Sequence, residues 1–268
     1  MAASDFQVVT GAYGYTGRYI ARRLLANGVR VKTLTGHPDR PNPFRGQVEV
    51  LPFNFDRPDD LARSLEGATT LYNTYWVRFS HGRVTFDQAV ENTKTLVRAA
   101  ERAGVRRLVH VSIANADAQS RLPYYRGKGL LEQFIRESKL SCAIVCPTVI
   151  YSADDILINN IAWIVRHFPI FGVPGDGRYG LQPLFVEDMV DLMLEAGSRT
   201  DNLHVDAVGP EVFSFDELVR LIARKLNRRV MIVHLPPQLA LLASRLIGLM
   251  VGDVVLTHEE VDGLMADL

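Results

Sequence analysis

The chain has 268 residues, 47% of them hydrophobic, enough for one large core with a smaller appended region. Its 30 Lys and Arg balance its 30 Asp and Glu, so no net field draws the surface onto nucleic acid or an anionic bilayer, and nucleic acid is not an expected partner. Met1-Ala2-Ala3-Ser4-Asp5 leads straight into an apolar run without the features of an export signal, so a cytoplasmic location is expected.

In chain order, short β-rich runs at Phe6–Thr10, Val29–Thr35, Val48–Phe53, Thr69–Asn73, Arg107–Ser112 and Cys142–Pro147 alternate with longer segments of helical period. Ile20, Ala21, Leu24 and Leu25 share a helix face that Gly28 ends. Phe86, Val90, Thr93, Val97 and Ala100 share another before Gly104. The alternation predicts an α/β fold, a doubly wound parallel sheet covered by helices on both faces. Cys142 and Cys146, evenly spaced in the sixth run, are expected as buried thiols on one strand face.

After Pro147 the pattern loosens into Tyr151–Gly180, which reads as a small C-terminal lobe that would face a substrate. The expected division is 1–150 and 151–268, with the second region partly interleaved with the sheet. Asn159 and Asn160 sit inside an apolar segment, where an amide needs a pocket or a loop to satisfy it. Capping boxes at Ser214 with Glu217 and at Thr257 with Glu260 announce helices. The second of these lies so close to Leu268 that the natural chain is expected to run further. Leu239 to Leu256, with Leu241, Leu242, Leu246 and Leu249 at helical spacing, carries Arg245 and Asp253 and follows Pro236-Pro237. No transmembrane span is expected there; a helix that packs on the lobe or docks a partner or second copy is.

The informative motif lies between the first run and the helix Thr16–Ala26: Gly11-Ala12-Tyr13-Gly14-Tyr15-Thr16-Gly17. Gly11 permits a tight turn, Gly14 lets the backbone approach a pyrophosphate, and Gly17 lets the helix pack closely. The helix N-terminus adds free amides and positive dipole. Placed there, the turn predicts a Rossmann-like domain that binds a nicotinamide dinucleotide. An NAD enzyme of this kind carries an Asp or Glu at the second strand tip. Here the tip reads Thr35-Gly36-His37-Pro38-Asp39-Arg40, and Thr35, His37 and Arg40 suit a 2′-phosphate, so NADP is expected over NAD.

With these residues in place, the sequence resembles the short-chain dehydrogenase/reductase superfamily in its extended and atypical branches, the NAD-dependent epimerase/dehydratase and NmrA-like proteins. It is also similar to the nucleotide-binding accessory subunit of respiratory complex I. The resemblance implies that Gly11, Tyr13, Gly14, Tyr15, Thr16 and Gly17 form the pyrophosphate turn, Asn54 and Phe55 contact adenine, and Asn73, Thr74 and Tyr75 line the ribose side. It places Pro147 and Thr148 beside the nicotinamide. It aligns His110-Val111-Ser112 with the central strand end, and Gly175-Asp176-Gly177 and Val186-Glu187-Asp188 with later turns. Two positions depart from the pattern. Ala114 stands where the superfamily has a catalytic Ser or Thr, and Cys146 where Arg is common.

Tyr124 and Lys128, four apart on a helix, form the candidate catalytic pair. A tyrosine of pKa about 10 needs a neighbouring cation to serve as acid/base near neutral pH, and the same ammonium would hydrogen-bond a cofactor ribose. Tyr125 has only Gly129 at the matching place. Ser112 is the candidate hydroxyl in place of Ala114, with Asn115 the other polar neighbour. Trp76, Arg78 and His81 are candidates for a substrate pocket. The histidines, His110 and His167 included, lack ligand-spaced partners, so no metal is expected. The reading is an NADPH-dependent reductase-like protein acting on a small carbonyl substrate. The alternatives are a non-catalytic NADP(H) sensor or accessory module, and a nucleotide-sugar epimerase or dehydratase.

Overall fold

The structure, a computed structural model, describes residues 5–78, 80, 84–242, 244 and 261–263. His81, Leu246, Leu249 and the Thr257/Glu260 capping box lie outside them. In chain order the elements are β1 (Phe6–Thr10), α1 (Tyr15–Ala26), β2 (Val31–Thr35), β3 (Val48–Pro52), α2 (Pro58–Leu65), β4 (Ala68–Asn73), α3 (Phe86–Arg102), β5 (Arg107–Val111), α4 (Pro123–Arg136) and β6 (Ser141–Pro147). There follow β7 (Ile150–Tyr151), α5 (Leu157–His167), β8 (Ile170–Pro174), β9 (Gly180–Leu181), β10 (Leu184–Phe185), α6 (Val186–Ser198), β11 (Leu203–Ala207), β12 (Phe213–Ser214), α7 (Phe215–Lys225) and β13 (Met231–Leu235). The predicted runs are all present, with ends displaced by one or two residues.

The chain divides into two compact units, 1–147 with 186–207, and 148–185 with 208–268. The second region is therefore interleaved with the first, because α6 and β11 return to the sheet. The first unit holds a seven-stranded, all-parallel sheet in the order β11-β6-β5-β4-β1-β2-β3, a Rossmann-like arrangement. The chain winds one way from β1 through β3 and the other from β4 onward. The sheet therefore has its topological switch between β1 and β4, outside whose carboxyl ends ligands bind in such folds.

One sheet face meets α2, α3 and α4, where Leu61, Leu65, Leu96, Val97 and Ile135 pack on Val8, Leu34, Leu71, Leu108 and Ile144. Each fully buried side chain of this kind stabilises by about 1.5–3 kcal/mol. Helix α1 packs against α6, and Arg23 pairs with Glu187 at 2.6 Å and with Asp191. Both expected stops follow from backbone geometry, since Gly28 (φ 74°) and Gly104 (φ 70°) take the left-handed turn that ends α1 and α3. Cys142 and Cys146 are buried and free on β6, as expected.

In the second unit, α5 and α7 pack on a core of Ile161, Val165, Phe171, Val173, Phe215 and Val219. The predicted capping box at Ser214 and Glu217 starts α7. Asn159 serves the loop before α5: its amide donates to the carbonyls of Ala153 at 3.1 Å and Asp155 at 2.9 Å. Among the described residues, no helix is long and apolar enough to cross a membrane.

Candidate functional site

The β1–α1 turn has the construction its glycines suggest. Gly11 has φ 64°, its amide donates to the Leu34 carbonyl at 2.8 Å, and the Gly14 amide donates to the Gly11 carbonyl at 2.8 Å. A Cβ at Gly17 would run into that same carbonyl group, so α1 can approach the strand only with hydrogen there. The turn is also tied sideways. The Ala12 amide donates to the Thr33 hydroxyl at 3.1 Å, and that hydroxyl donates to the Val9 carbonyl at 2.8 Å. Gly14, in extended backbone, caps α1 without a side-chain acceptor, which leaves the first-turn amides available to an anion.

The turn opens onto a cleft of about 1180 Å³ at the switch point. Gly11, Tyr13, Gly14, Tyr15, Thr16 and Gly17 line it, as do Thr35, Gly36, His37 and Arg40 at the tip of β2, and Asn54, Phe55, Thr74 and Tyr75. Fourteen residues selected from separate stretches of sequence thus share one concavity. Sequence reasoning missed Phe53, Asp56, Gln88 and Asn92, which also line it. Phe53 and Phe55 stack at 4.7 Å between ring centroids, and Tyr75 meets them at 4.9 and 5.0 Å. Asn92 donates to the Tyr75 hydroxyl at 2.8 Å. The group offers aromatic faces to a flat ring. Phe53 is visible in sequence only as one more apolar residue at a strand end, a weak signal.

The Tyr13 ring stacks on Phe44, and its hydroxyl is buried without a partner among the described residues; burial pushes its pKa up. At the tip of β2, the Thr35 hydroxyl accepts from the His37 amide at 3.1 Å, which turns the chain so that His37 and Arg40 stand exposed on the cleft rim.

Asn73 has a different role from its neighbours. Fully buried, it accepts from the Thr10 hydroxyl at 3.0 Å and the Tyr75 amide at 3.1 Å, and its amide nitrogen lies 2.9 Å from His110 Nδ1. It ties together the ends of β1, β4 and β5, and so holds Thr74 and Tyr75 at the cleft. His110 is itself buried, and its pKa falls well below the ordinary range, chiefly through burial and then through the Lys128 charge. Its Nε2 has no partner among the described residues.

The proposed catalytic residues occupy other surroundings. The Tyr124 ring packs edge-on against Trp76 at 5.9 Å and Phe86 at 5.6 Å. Lys128 is 3% exposed; its ammonium donates to the Val111 carbonyl at 2.8 Å and lies 4.5 Å from the centre of the Trp76 ring. Gly127 makes room for that indole, because a Cβ there would fall 2.9 Å from it. Burial pushes the Lys128 pKa down to about 7, against smaller upward effects of Cys146 and Glu132. Trp76 and Arg78 line the cleft; Tyr124 and Lys128 do not. The Ser112 hydroxyl is committed to Glu132 Oε1 at 2.6 Å, while the Ala114 amide donates to the Pro147 carbonyl at 2.9 Å. Asn115, at φ 57°, adopts the left-handed conformation that asparagine tolerates. Pro147 ends β6, and the Thr148 hydroxyl donates to the Gln182 carbonyl at 2.5 Å.

Comparison with known proteins identifies the family. A family model described as NAD(P)H-binding matches residues 11–160. Subunit 9 of the NADH dehydrogenase [ubiquinone] 1 alpha subcomplex, mitochondrial, from Arabidopsis thaliana is 24% identical over 240 residues, covering 85% of this chain and 60% of that protein. A ceramide reductase from Caulobacter vibrioides is 25% identical over 245 residues, covering 89% of this chain and 76% of its own. The solved structure of MoeE5 in complex with UDP-glucose and NAD superposes with a TM-score of 0.71 at 18% identity, over 98% of both chains. The chain spans only 60 to 63% of the length of three mitochondrial relatives.

Proposed function

We propose, for a chain that belongs to the NAD(P)H-binding family, that it holds NADP(H) in preference to NAD(H) and serves as a cofactor-binding module. The observation that carries this reading is the cleft itself, which joins the phosphate turn to a β2 tip of Thr35, Gly36, His37 and Arg40. The turn amides would take the pyrophosphate, the Phe53, Phe55 and Tyr75 group the adenine, and Arg40 with His37 the 2′-phosphate. The non-catalytic reading is supported by Ala114 and by two engagements away from the cleft, Ser112 with Glu132 and Lys128 with the Val111 carbonyl.

A charge-assisted contact from Arg40 to a 2′-phosphate is worth about 1.5–3 kcal/mol. Calorimetric titration is therefore expected to show NADPH binding more tightly than NADH, with Arg40→Ala reducing the difference by about 10- to 100-fold. NADH binding as tightly as NADPH in the parent chain would overturn the preference.

A module of this kind is expected to dock on another protein, in line with the complex I subunit names of its relatives. Leu239 and Leu242 are exposed and supply an apolar start to such a surface.

A second reading, reduction of a small carbonyl substrate, is favoured by the Tyr124 and Lys128 spacing on α4 and by the ceramide reductase relative. Its signature is a fall of about 10²–10⁴-fold in carbonyl reduction on Tyr124→Phe, with NADPH affinity kept. A carbonyl panel left equally unreduced by the parent and by Tyr124→Phe supports the module.

A further inference from the structure

Away from the cleft, the sheet brings together Glu132 on α4, Cys146 on β6 and His204 on β11. Cys146 Sγ lies 3.5 Å from Glu132 Oε1 and 3.4 Å from His204 Nε2, and that Nε2 lies 2.9 Å from Glu132 Oε2. We propose that these three side chains form a binding site for a zinc-class divalent cation, completed by a water molecule.

The donor set is the one a borderline-soft cation selects: a thiolate, an imidazole and a carboxylate, which together outcompete the all-oxygen sites preferred by magnesium or calcium. The geometry fits as well. Tetrahedral zinc, at about 2.3 Å from sulfur and about 2.0–2.2 Å from nitrogen and oxygen, separates sulfur from either partner by about 3.5 Å and nitrogen from oxygen by about 3.4 Å. The two separations from sulfur, to Glu132 Oε1 and to His204 Nε2, already agree; the nitrogen contact is to the other carboxylate oxygen, Oε2. The third opens by about half an ångström if His204 turns slightly, and His204 has that freedom because its side chain is 45% exposed.

The same exposure supplies an entry path for the ion and a place for the water. The Glu132 side chain, in contrast, is 7% exposed and held from two sides. Ser112 donates to its Oε1 at 2.6 Å, and Arg136 reaches its Oε2 at 2.9 Å. Such outer contacts orient a ligating carboxylate. The spacing of the other two donors is set by sheet backbone. Asp206 pairs with Cys146 across the parallel β11–β6 ladder, and His204 lies two residues before it on the same face.

A half-exposed charge network would account for Glu132 with Arg136 and His204, and leaves the thiol only long contacts, to Glu132 Oε1 at 3.5 Å and to His204 Nε2 at 3.4 Å. On metal binding the Cys146 thiol releases its proton to solvent. Bonds form from the ion to sulfur, imidazole nitrogen and carboxylate oxygen, and the contact between His204 and Glu132 is replaced.

The test is a cobalt(II) titration of the full, tag-free chain, read by thiolate-to-cobalt charge-transfer absorption and by the visible bands of four-coordinate cobalt. One cobalt per chain is expected, displaced by zinc. Cys146→Ser should abolish the charge-transfer band, and Cys142→Ser should keep it. His204→Gln, at a half-exposed position, should weaken binding by about 100-fold. Absence of the band in the parent chain, its survival in folded Cys146→Ser, or unchanged affinity in His204→Gln would each overturn the site.

Discussion

Gly14→Val is expected to lose binding of NADPH and NADH alike, at concentrations that saturate the parent chain, while its thermal melting stays close to the parent's. The backbone at Gly14 is extended (φ −82°, ψ 179°), a conformation any residue adopts, so the substitution carries no conformational strain. Its Cβ would lie 3.2 Å from the Gly11 carbonyl oxygen, a tight approach that asks a few tenths of an ångström of the turn, against the outright collision at Gly17. The branched methyls would instead occupy the space above the first-turn amides, where the pyrophosphate must come into hydrogen-bond range. Losing two such charge-assisted contacts, each worth about 1.5–3 kcal/mol, weakens affinity by about 10²-fold or more. Gly17→Val makes the contrast, because its Cβ would collide with backbone of Gly11 and Thr10 rather than with ligand space. That variant is expected to melt markedly lower or to fail to fold. Isothermal titration with parallel melting curves separates the two, and undiminished NADPH affinity in Gly14→Val would remove the turn from the site.

Lys128→Met is expected to remove a large part of the rise in stability between pH 7 and 10.5. The Lys128 pKa stands at about 7 in the folded chain against an ordinary 10.5, chiefly because burial disfavours the ammonium. Between those values the unfolded chain binds a proton that the folded chain does not, so stability rises with pH across that window. Below about 7 both states are protonated and the full cost of the buried ammonium is present; above 10.5 it has vanished. The slope from this one group reaches about 1.4 kcal/mol per pH unit. Urea midpoints at pH 7, 8.5 and 10 should show the parent gaining stability relative to Lys128→Met, whose methionine has no proton to exchange. Parallel curves would show that Lys128 is not buried as described. Because the ammonium serves the Val111 carbonyl, NADPH affinity should survive the substitution. A large loss would mark a ribose contact and favour the reductase reading.

What was legible in the sequence is what depends on near neighbours along the chain. The glycine turn, the helix stops at Gly28 and Gly104, the capping box at Ser214 and the alternation of strands with helices are set by backbone sterics and short-range periodicity, which act over a few residues. Most of the lining of the cleft was legible for the same reason, since most lining stretches sit at strand ends that the alternation marks. The tertiary structure alone decided how those ends are joined and which polar groups remain free. Thr10 and Asn73 bond across 63 positions of sequence, and His204 and Glu132 across 72. No local spacing marks either pair, because crossover connections set which strands become neighbours. The buried setting of Lys128 was decided in the same way: Trp76 reaches it from the end of β4, and the fit depends on the missing side chain at Gly127. Four-residue spacing put Tyr124 and Lys128 on one helix; desolvation and the Val111 carbonyl, which only packing supplies, determined what the ammonium does there.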